Sequence, residues 1–175
     1  MRSDEMKDTQ ILHIVGFKNS GKTTLMSRWI RLLKEKGYRV SALKQHVHQG
    51  KLKMPDEQTD SMQFYLNGAD SSIVTGGGTV QIMVNETPDF HRLKEMTVQL
   101  CQPDIILVEG FKMESGEKVV ILRDEEDWQT LKSLEEVQLV VGYPELVVDM
   151  DHISSRTNEQ QLDEWLLNWV KSSSF

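Results

Sequence analysis

The chain is poor in cysteine and proline and has no long apolar run. Its 175 residues include one cysteine, Cys101, and four prolines. A single cysteine excludes an internal disulfide framework and a cysteine-rich metal site. Its position near the end of a predicted helix indicates a buried structural thiol. No apolar stretch reaches the length of a bilayer-spanning helix, and the polar first ten residues are unlike a secretory signal.

Positive charge is also scarce. The formal net charge is -7 at pH 7, which argues against nucleic acid and an anionic membrane surface as partners. The chain has seven arginines, and no cluster of them follows the apolar strands, where a kinase lid would clamp the transferring phosphoryl group. We expect a soluble cytoplasmic protein with a flexible leader over residues 1–10 and a single domain over residues 11–175.

The most informative segment is GFKNSGKTT, residues 16–24. It fits the spacing G-x-x-x-x-G-K-[ST] of a phosphate-binding loop (P-loop). Glycine at both ends of the loop lets the backbone curl so that its N–H groups point at phosphate oxygens. The lysine reaches the β- and γ-phosphates, and the following threonine binds Mg²⁺. The predicted nucleotide-binding residues are Gly16, Phe17, Lys18, Asn19, Ser20, Gly21, Lys22, Thr23 and Thr24.

The flanking segments have the form that a P-loop requires. An apolar run over residues 11–15 predicts a buried strand, and apolar residues at helical spacing follow Thr24 as far as Gly37. A glycine-rich turn without a ligand is the structural alternative.

The rest of the chain alternates strands with helices. Strands are predicted over residues 38–44, 104–109, 118–122 and 137–141, with helices near 60–67, 87–101, 128–134 and 158–171. Two short runs around Gly76–Gly77–Gly78 predict a β-hairpin. This pattern indicates an α/β, P-loop NTPase-type three-layer fold: a mostly parallel sheet with helices on both faces and an added hairpin.

Glu109 is the second candidate for chemistry, because it ends the apolar run over residues 105–108. P-loop proteins place an acidic residue at the end of a neighbouring strand to hold Mg²⁺. A simple strand-end charge is the alternative. The predicted catalytic residues are Lys22 and Glu109, and the predicted metal ligands are Thr23, Asp60 and Glu109. For Asp60 the residues alone favour a helix N-cap.

Three further polar residues lie at the end of the second strand: Lys44, His46 and His48. Ligands of open α/β sheets bind outside the carboxyl ends of the strands, but two histidines without a third ligand are more often surface residues than a zinc site. His13, inside the first strand, is predicted to be a core histidine. No Asn-Lys-x-Asp segment occurs, so these motifs do not separate GTP from ATP.

Four segments occur in an order that resembles the molybdopterin-guanine dinucleotide biosynthesis protein B (MobB) family: GFKNSGKTT, Lys44–His48 (KQHVH), Asp60-Ser61 with Gly68-Ala69, and Val108–Lys112 (VEGFK). The resemblance covers about residues 11–112. It departs from the family at Gln45, where a histidine is usual, and at Gln58-Thr59, where Gly-Lys is common.

The resemblance implies a homodimer that binds GTP with Mg²⁺ and hydrolyses it slowly at most. It also implies an adaptor role in making the guanine dinucleotide form of the molybdenum cofactor, beside a partner guanylyltransferase (MobA). Molybdopterin or its guanine dinucleotide is then a further possible ligand. Two other classes stay open: a P-loop kinase of small molecules or nucleotides, and a scaffold whose loop is only a structural turn.

Overall fold

The computed structural model describes residues 9–46, 52–143, 146, 152–153 and 158–172. Most of the predicted leader, residues 1–8, lies outside them. The elements along the chain are β1 (Gln10–Val15), α1 (Lys22–Glu35), β2 (Val40–Lys44), α2 (Asp60–Leu66), β3 (Ser71–Gly76), β4 (Thr79–Val84), α3 (Phe90–Cys101), β5 (Ile105–Glu109), β6 (Lys118–Ile121), α4 (Glu125–Leu131), β7 (Val137–Val141), β8 (His152–Ile153) and α5 (Glu159–Ser172).

The chain divides into two compact units. The hairpin unit spans His46–Leu93, and the sheet unit comprises the described residues before and after it. The single domain over residues 11–175 stays a prediction.

The sheet unit contains a parallel sheet with the strand order β2-β5-β1-β6-β7-β8. On one face, side chains of α1 and α5 pack with Leu12 and Leu107 around the fully buried Trp29. On the other face, Leu131 of α4 packs with Val120 and Val140. Strands covered on both faces need near-continuous apolar sequence, and β5 is buried along its whole length. The predicted α/β fold is confirmed.

The hairpin unit contains α2 and a separate antiparallel sheet of β3 and β4. Gly77 and Gly78 occupy the two central positions of the turn, with φ of 58° and 78°. Positive φ at both positions is the requirement of a tight type I′ hairpin turn, and glycine meets it without strain. The predicted hairpin is confirmed.

Two predicted helix starts and one burial prediction are wrong. α3 begins at Phe90 instead of Thr87, because Asp89 Oδ1 accepts a hydrogen bond from Arg92 N at 2.8 Å. α4 begins before Trp128, because Asp124 caps it through the N–H of Asp127. Cys101 is exposed, not buried, since it ends a helix that has no fully buried residue. No described helix is both long and apolar enough to cross a membrane.

His13 is fully buried in β1, which confirms its prediction as a core histidine. Its strand partner in β6 is Lys118, and a side chain at Gly116 would lie 3.2 Å from its Nε2 atom. Burial lowers the pKa of His13 below its usual 6.5; a hydrogen bond with the Gly110 backbone opposes this shift, and the Lys118 ammonium adds to it. The folded protein therefore keeps the imidazole neutral.

We expect His13 to make the protein sensitive to acid. Below pH 6.5 the unfolded chain binds a proton at this position that the folded chain does not, so stability falls as pH drops from 6.5 towards the folded pKa. One such proton lowers the free energy of unfolding by at most about 1.4 kcal/mol for each pH unit. In urea unfolding between pH 7.5 and 5.5, His13→Gln should flatten the dependence of the unfolding free energy on pH. His91→Gln, on the exposed surface of α3, should leave that dependence unchanged. Equal slopes for both variants would contradict this account.

Candidate functional site

The loop between β1 and α1 lies at the carboxyl end of the parallel sheet. At Gly16 there is no room for a side chain, because a Cβ would lie 2.5 Å from Ser20 Oγ and 2.6 Å from the Ile121 carbonyl oxygen. Ser20 is itself fully buried. Glycine is therefore required at this position by the close approach of neighbouring groups, as the motif spacing predicts.

Two loop residues have left-handed backbone conformations: Asn19, with φ of 63°, and Gly21, with φ of 98°. Asparagine and glycine adopt this region most easily. Gly21 is also the N-cap residue of α1, which has no side-chain cap and no acidic residue in its first turn. The N–H groups at this helix start, together with the helix dipole, therefore favour an anion.

The Lys22 side chain folds back onto the backbone of the loop. Its Nζ donates a hydrogen bond to the Phe17 carbonyl at 2.7 Å. Burial lowers the pKa of Lys22; Glu109 opposes the shift, while the neighbouring charges of Lys44 and Arg123 add to it. A partly desolvated ammonium with basic neighbours is stabilised by any anion that enters the loop.

The Glu109 carboxylate contacts both the P-loop and the end of β2. Its Oε2 atom accepts a hydrogen bond from Thr23 Oγ1 at 3.0 Å, and its Oε1 atom lies 3.0 Å from Lys44 Nζ. Lys44 and Glu109 are paired residues of β2 and β5, which explains their proximity. The structure thus brings together two of the three predicted metal ligands; their binding of a metal stays a prediction.

The pair Thr23 and Glu109 fits Mg²⁺ by the chemistry of its oxygens. This ion usually takes one or two protein oxygens and keeps water and phosphate oxygens in its other positions. Within the described part of the chain, no group of three or more His, Cys, Asp or Glu side chains is placed to hold a metal. His46 is exposed, and His48 lies outside the described residues.

Asp60 belongs to the hairpin unit, where it is the exposed first residue of α2. The N-cap of that helix is Thr59, so the predicted N-cap role of Asp60 is wrong. Asp56 organises the preceding turn by accepting hydrogen bonds from Thr59 N and Oγ1 at its carbonyl and from Gln58 N at its carboxylate. The role of Asp60 as a metal ligand stays a prediction.

Gln45 was not identified as a site residue from the sequence. Its backbone N–H donates to the Glu109 carbonyl at 2.9 Å, and its Oε1 accepts from Phe111 N at 3.0 Å. The turn that it holds has positive φ at Gly110 (96°) and Phe111 (51°). A bulky residue is disfavoured in this conformation, so the two hydrogen bonds help to fix the turn directly after Glu109.

Arg123 was also missed. It follows β6 and lies with its Cζ 5.3 Å from the centre of the Phe17 ring, while Lys112 Nζ lies 5.8 Å from the same centre. Both distances suit cation–π contacts. Buried Asp127 orients the guanidinium through Nε at 2.9 Å and Nη2 at 2.7 Å. An arginine after an apolar strand with an aspartate four residues later was the available signal.

The parallel sheet and the loop over residues 16–24 define a protein of the P-loop class. The family model described as "Molybdopterin guanine dinucleotide synthesis protein B" (MobB) matches residues 11–142. A Bacillus subtilis protein named a probable molybdopterin-guanine dinucleotide biosynthesis adapter protein is 35% identical over 130 residues, which are 74% of this chain and 75% of that one. A Haemophilus influenzae adapter protein of the same pathway is 31% identical over 165 residues, 91% and 89% of the two chains.

Solved structures agree with these sequence matches. Bacillus subtilis MobB has a TM-score of 0.77 and 30% identity, covering 90% of this chain and 96% of its own. A MobB homologue from Bacillus stearothermophilus has a TM-score of 0.73 and 28% identity, covering 93% and 98%. The chain belongs to the MobB family.

The crowding at Gly16 predicts that an alanine substitution destabilises the protein more at Gly16 than at Gly76. Gly16→Ala should cost about 1–3 kcal/mol of stability, because the backbone must move away from the Ile121 carbonyl. Gly76→Ala should change stability by less than about 0.5 kcal/mol, since nothing lies within 4 Å of a Cβ there. Urea unfolding of both variants measures the difference, and equal effects would contradict the tight packing of the loop.

Proposed function

We propose that this protein binds GTP with Mg²⁺ in the loop over Gly16–Thr24 and acts as an adapter in the synthesis of molybdopterin guanine dinucleotide. The observation that carries the proposal is the hydrogen bond of 3.0 Å between Thr23 Oγ1 and Glu109 Oε2 at the start of α1. It joins the P-loop hydroxyl to the strand-end carboxylate, the two groups with which P-loop proteins hold Mg²⁺. The names of the relatives support the pathway.

The loop supplies three kinds of group for phosphate binding. Left-handed backbone conformations at Asn19 and Gly21 are of the kind that directs successive N–H groups towards an anion. Lys22 contributes a mobile charge that can exchange the Phe17 carbonyl for a phosphate oxygen. The N-terminus of α1 adds its dipole. Together they neutralise several negative charges within one short segment, which a triphosphate requires.

Mg²⁺, when bound, neutralises phosphate charge and orients the phosphates. Thr23 and Glu109 are the residues that would hold it. Both Glu109 oxygens already have partners, Thr23 on one side and Lys44 on the other. This carboxylate is therefore better suited to holding a cation or its water than to removing a proton. We accordingly propose GTP hydrolysis that is slow at most.

An adapter needs contact surfaces, and the hairpin unit offers apolar ones. Phe64, Ile73 and Val80 are each more than half exposed. Exposed apolar groups of this size favour protein contacts. They support the proposed homodimer and the proposed partner, a guanylyltransferase of the MobA type. Binding of molybdopterin or its guanine dinucleotide belongs to the same proposal.

Calorimetry with GTP and ATP, each with Mg²⁺, tests the nucleotide proposal. Wild type should bind GTP more tightly than ATP. Lys22→Ala should weaken GTP binding by about 10- to 100-fold, because a charge-assisted contact is worth about 1.5–3 kcal/mol. Lys34→Ala, at the exposed end of α1, removes the same charge and should bind like wild type. No binding at all would refute the proposal, and preference for ATP would favour a kinase.

Replacing the strand-end carboxylate tests the metal role. Glu109→Gln should keep nucleotide binding, because the phosphate-binding loop is intact, and should lose Mg²⁺-dependent hydrolysis, because the amide carries no negative charge. Phosphate release at saturating GTP measures the effect, with Glu35→Gln at the exposed end of α1 as the matched control. Hydrolysis by Glu109→Gln at the wild-type rate would show that this metal role is wrong.

A further inference from the structure

Lys44 contacts the same carboxylate that is proposed to hold the metal. Its Nζ lies 3.0 Å from Glu109 Oε1, while Thr23 Oγ1 donates to Oε2. The contact follows from the fold, because Lys44 and Glu109 are aligned partners in adjacent parallel strands, and aligned side chains lie on the same face of a sheet. The strand register therefore places the Lys44 ammonium beside Glu109.

The two partners differ in burial. The Glu109 side chain is 11% exposed, whereas that of Lys44 is 57% exposed. Lys44 ends β2, which lies at one edge of the sheet. Its charged end can therefore leave the carboxylate and remain hydrated, but Glu109 cannot follow it into water. Of the two side chains in this ion pair, only that of Glu109 is held in place by burial.

We infer that Lys44 is an internal counter-ion of Glu109 that a divalent cation must displace. The inference rests on the proposed function, because it concerns the same metal and nucleotide. An unpaired carboxylate near a phosphate site would repel the ligand, so the ammonium keeps Glu109 compatible with an anion before metal binds. A divalent cation at Glu109 then meets the positive charge of Lys44, and the two cations exclude each other.

The surroundings of Lys22 support this competition. Lys44 is close enough for its charge to help lower the pKa of Lys22, so the two ammonium groups repel each other across the site. Phosphate oxygens would relieve this repulsion. Metal binding is thereby coupled to release of the Lys44 side chain from Glu109.

The test measures how strongly Mg²⁺ tightens nucleotide binding. The measured quantity is a ratio of two dissociation constants of a non-hydrolysable GTP analogue: its Kd in EDTA divided by its Kd in Mg²⁺. This ratio isolates the coupling between metal and nucleotide. In Lys44→Met it should rise by about three- to fivefold, the upper part of the range of an exposed ion pair. Lys44→Arg, which keeps the charge, should resemble wild type.

Two controls make the result specific. Lys34→Met lowers the net charge by the same amount, about 18 Å from Lys22 along α1, and should leave the ratio unchanged. In a Glu109→Gln background, Lys44→Met should shift the ratio by less than about twofold, because the pair is already broken.

Three outcomes would overturn the inference. An unchanged or smaller ratio in Lys44→Met would mean that Lys44 does not compete with the metal. If Lys44 bound phosphate both with and without Mg²⁺, its removal would weaken both affinities equally and leave the ratio unchanged. The same rise in the Glu109→Gln background would mean that Lys44 acts on another group. Absence of nucleotide binding by wild type would refute the proposed function as well, whereas normal binding with an unchanged ratio would refute the Lys44 inference alone.

Discussion

The parallel register of β2, β5 and β1 is the constraint on which the site depends. Glu109 is aligned with Lys44 on one side and with Ile14 on the other. Because parallel strands end at the same edge, this alignment places the P-loop after β1 within hydrogen-bond distance of the carboxylate that ends β5. A slip of one residue in β5 would turn Glu109 to the other face of the sheet and separate it from both Thr23 and Lys44.

The same edge concentrates positive charge in a chain of negative net charge. Lys22 and Lys44 approach Glu109, while Lys112 and Arg123 approach Phe17 within the P-loop. Two carboxylates, Glu109 and Asp127, orient these cations without neutralising all of them. An anionic ligand is therefore favoured locally, even though the formal net charge is -7.

The sequence predicted those features that depend on local patterns. The P-loop spacing, the buried strands, the hairpin and the strand-end position of Glu109 all follow from neighbouring residue types. The contacts of Gln45 with Phe111 and of Arg123 with Phe17 could not be predicted in this way, because they join segments that are 66 or more residues apart. For Arg123 the local pattern offered only its position after a strand and the aspartate four residues later. The start of α3 was misplaced because Thr87 and Asp89 are both good N-cap residues and differ little in intrinsic preference. The start of α4 was placed too late because the acidic first turn after Asp124 carries no apolar residue that would mark it as helical.

The most direct test of the central claim is a crystal structure of this protein with a non-hydrolysable GTP analogue and Mg²⁺. The account predicts the triphosphate within the loop over residues 16–24, Lys22 on a phosphate oxygen instead of the Phe17 carbonyl, and the metal held by Thr23 and by Glu109, directly or through water. A triphosphate bound outside this loop, or a metal held without either residue, would contradict it.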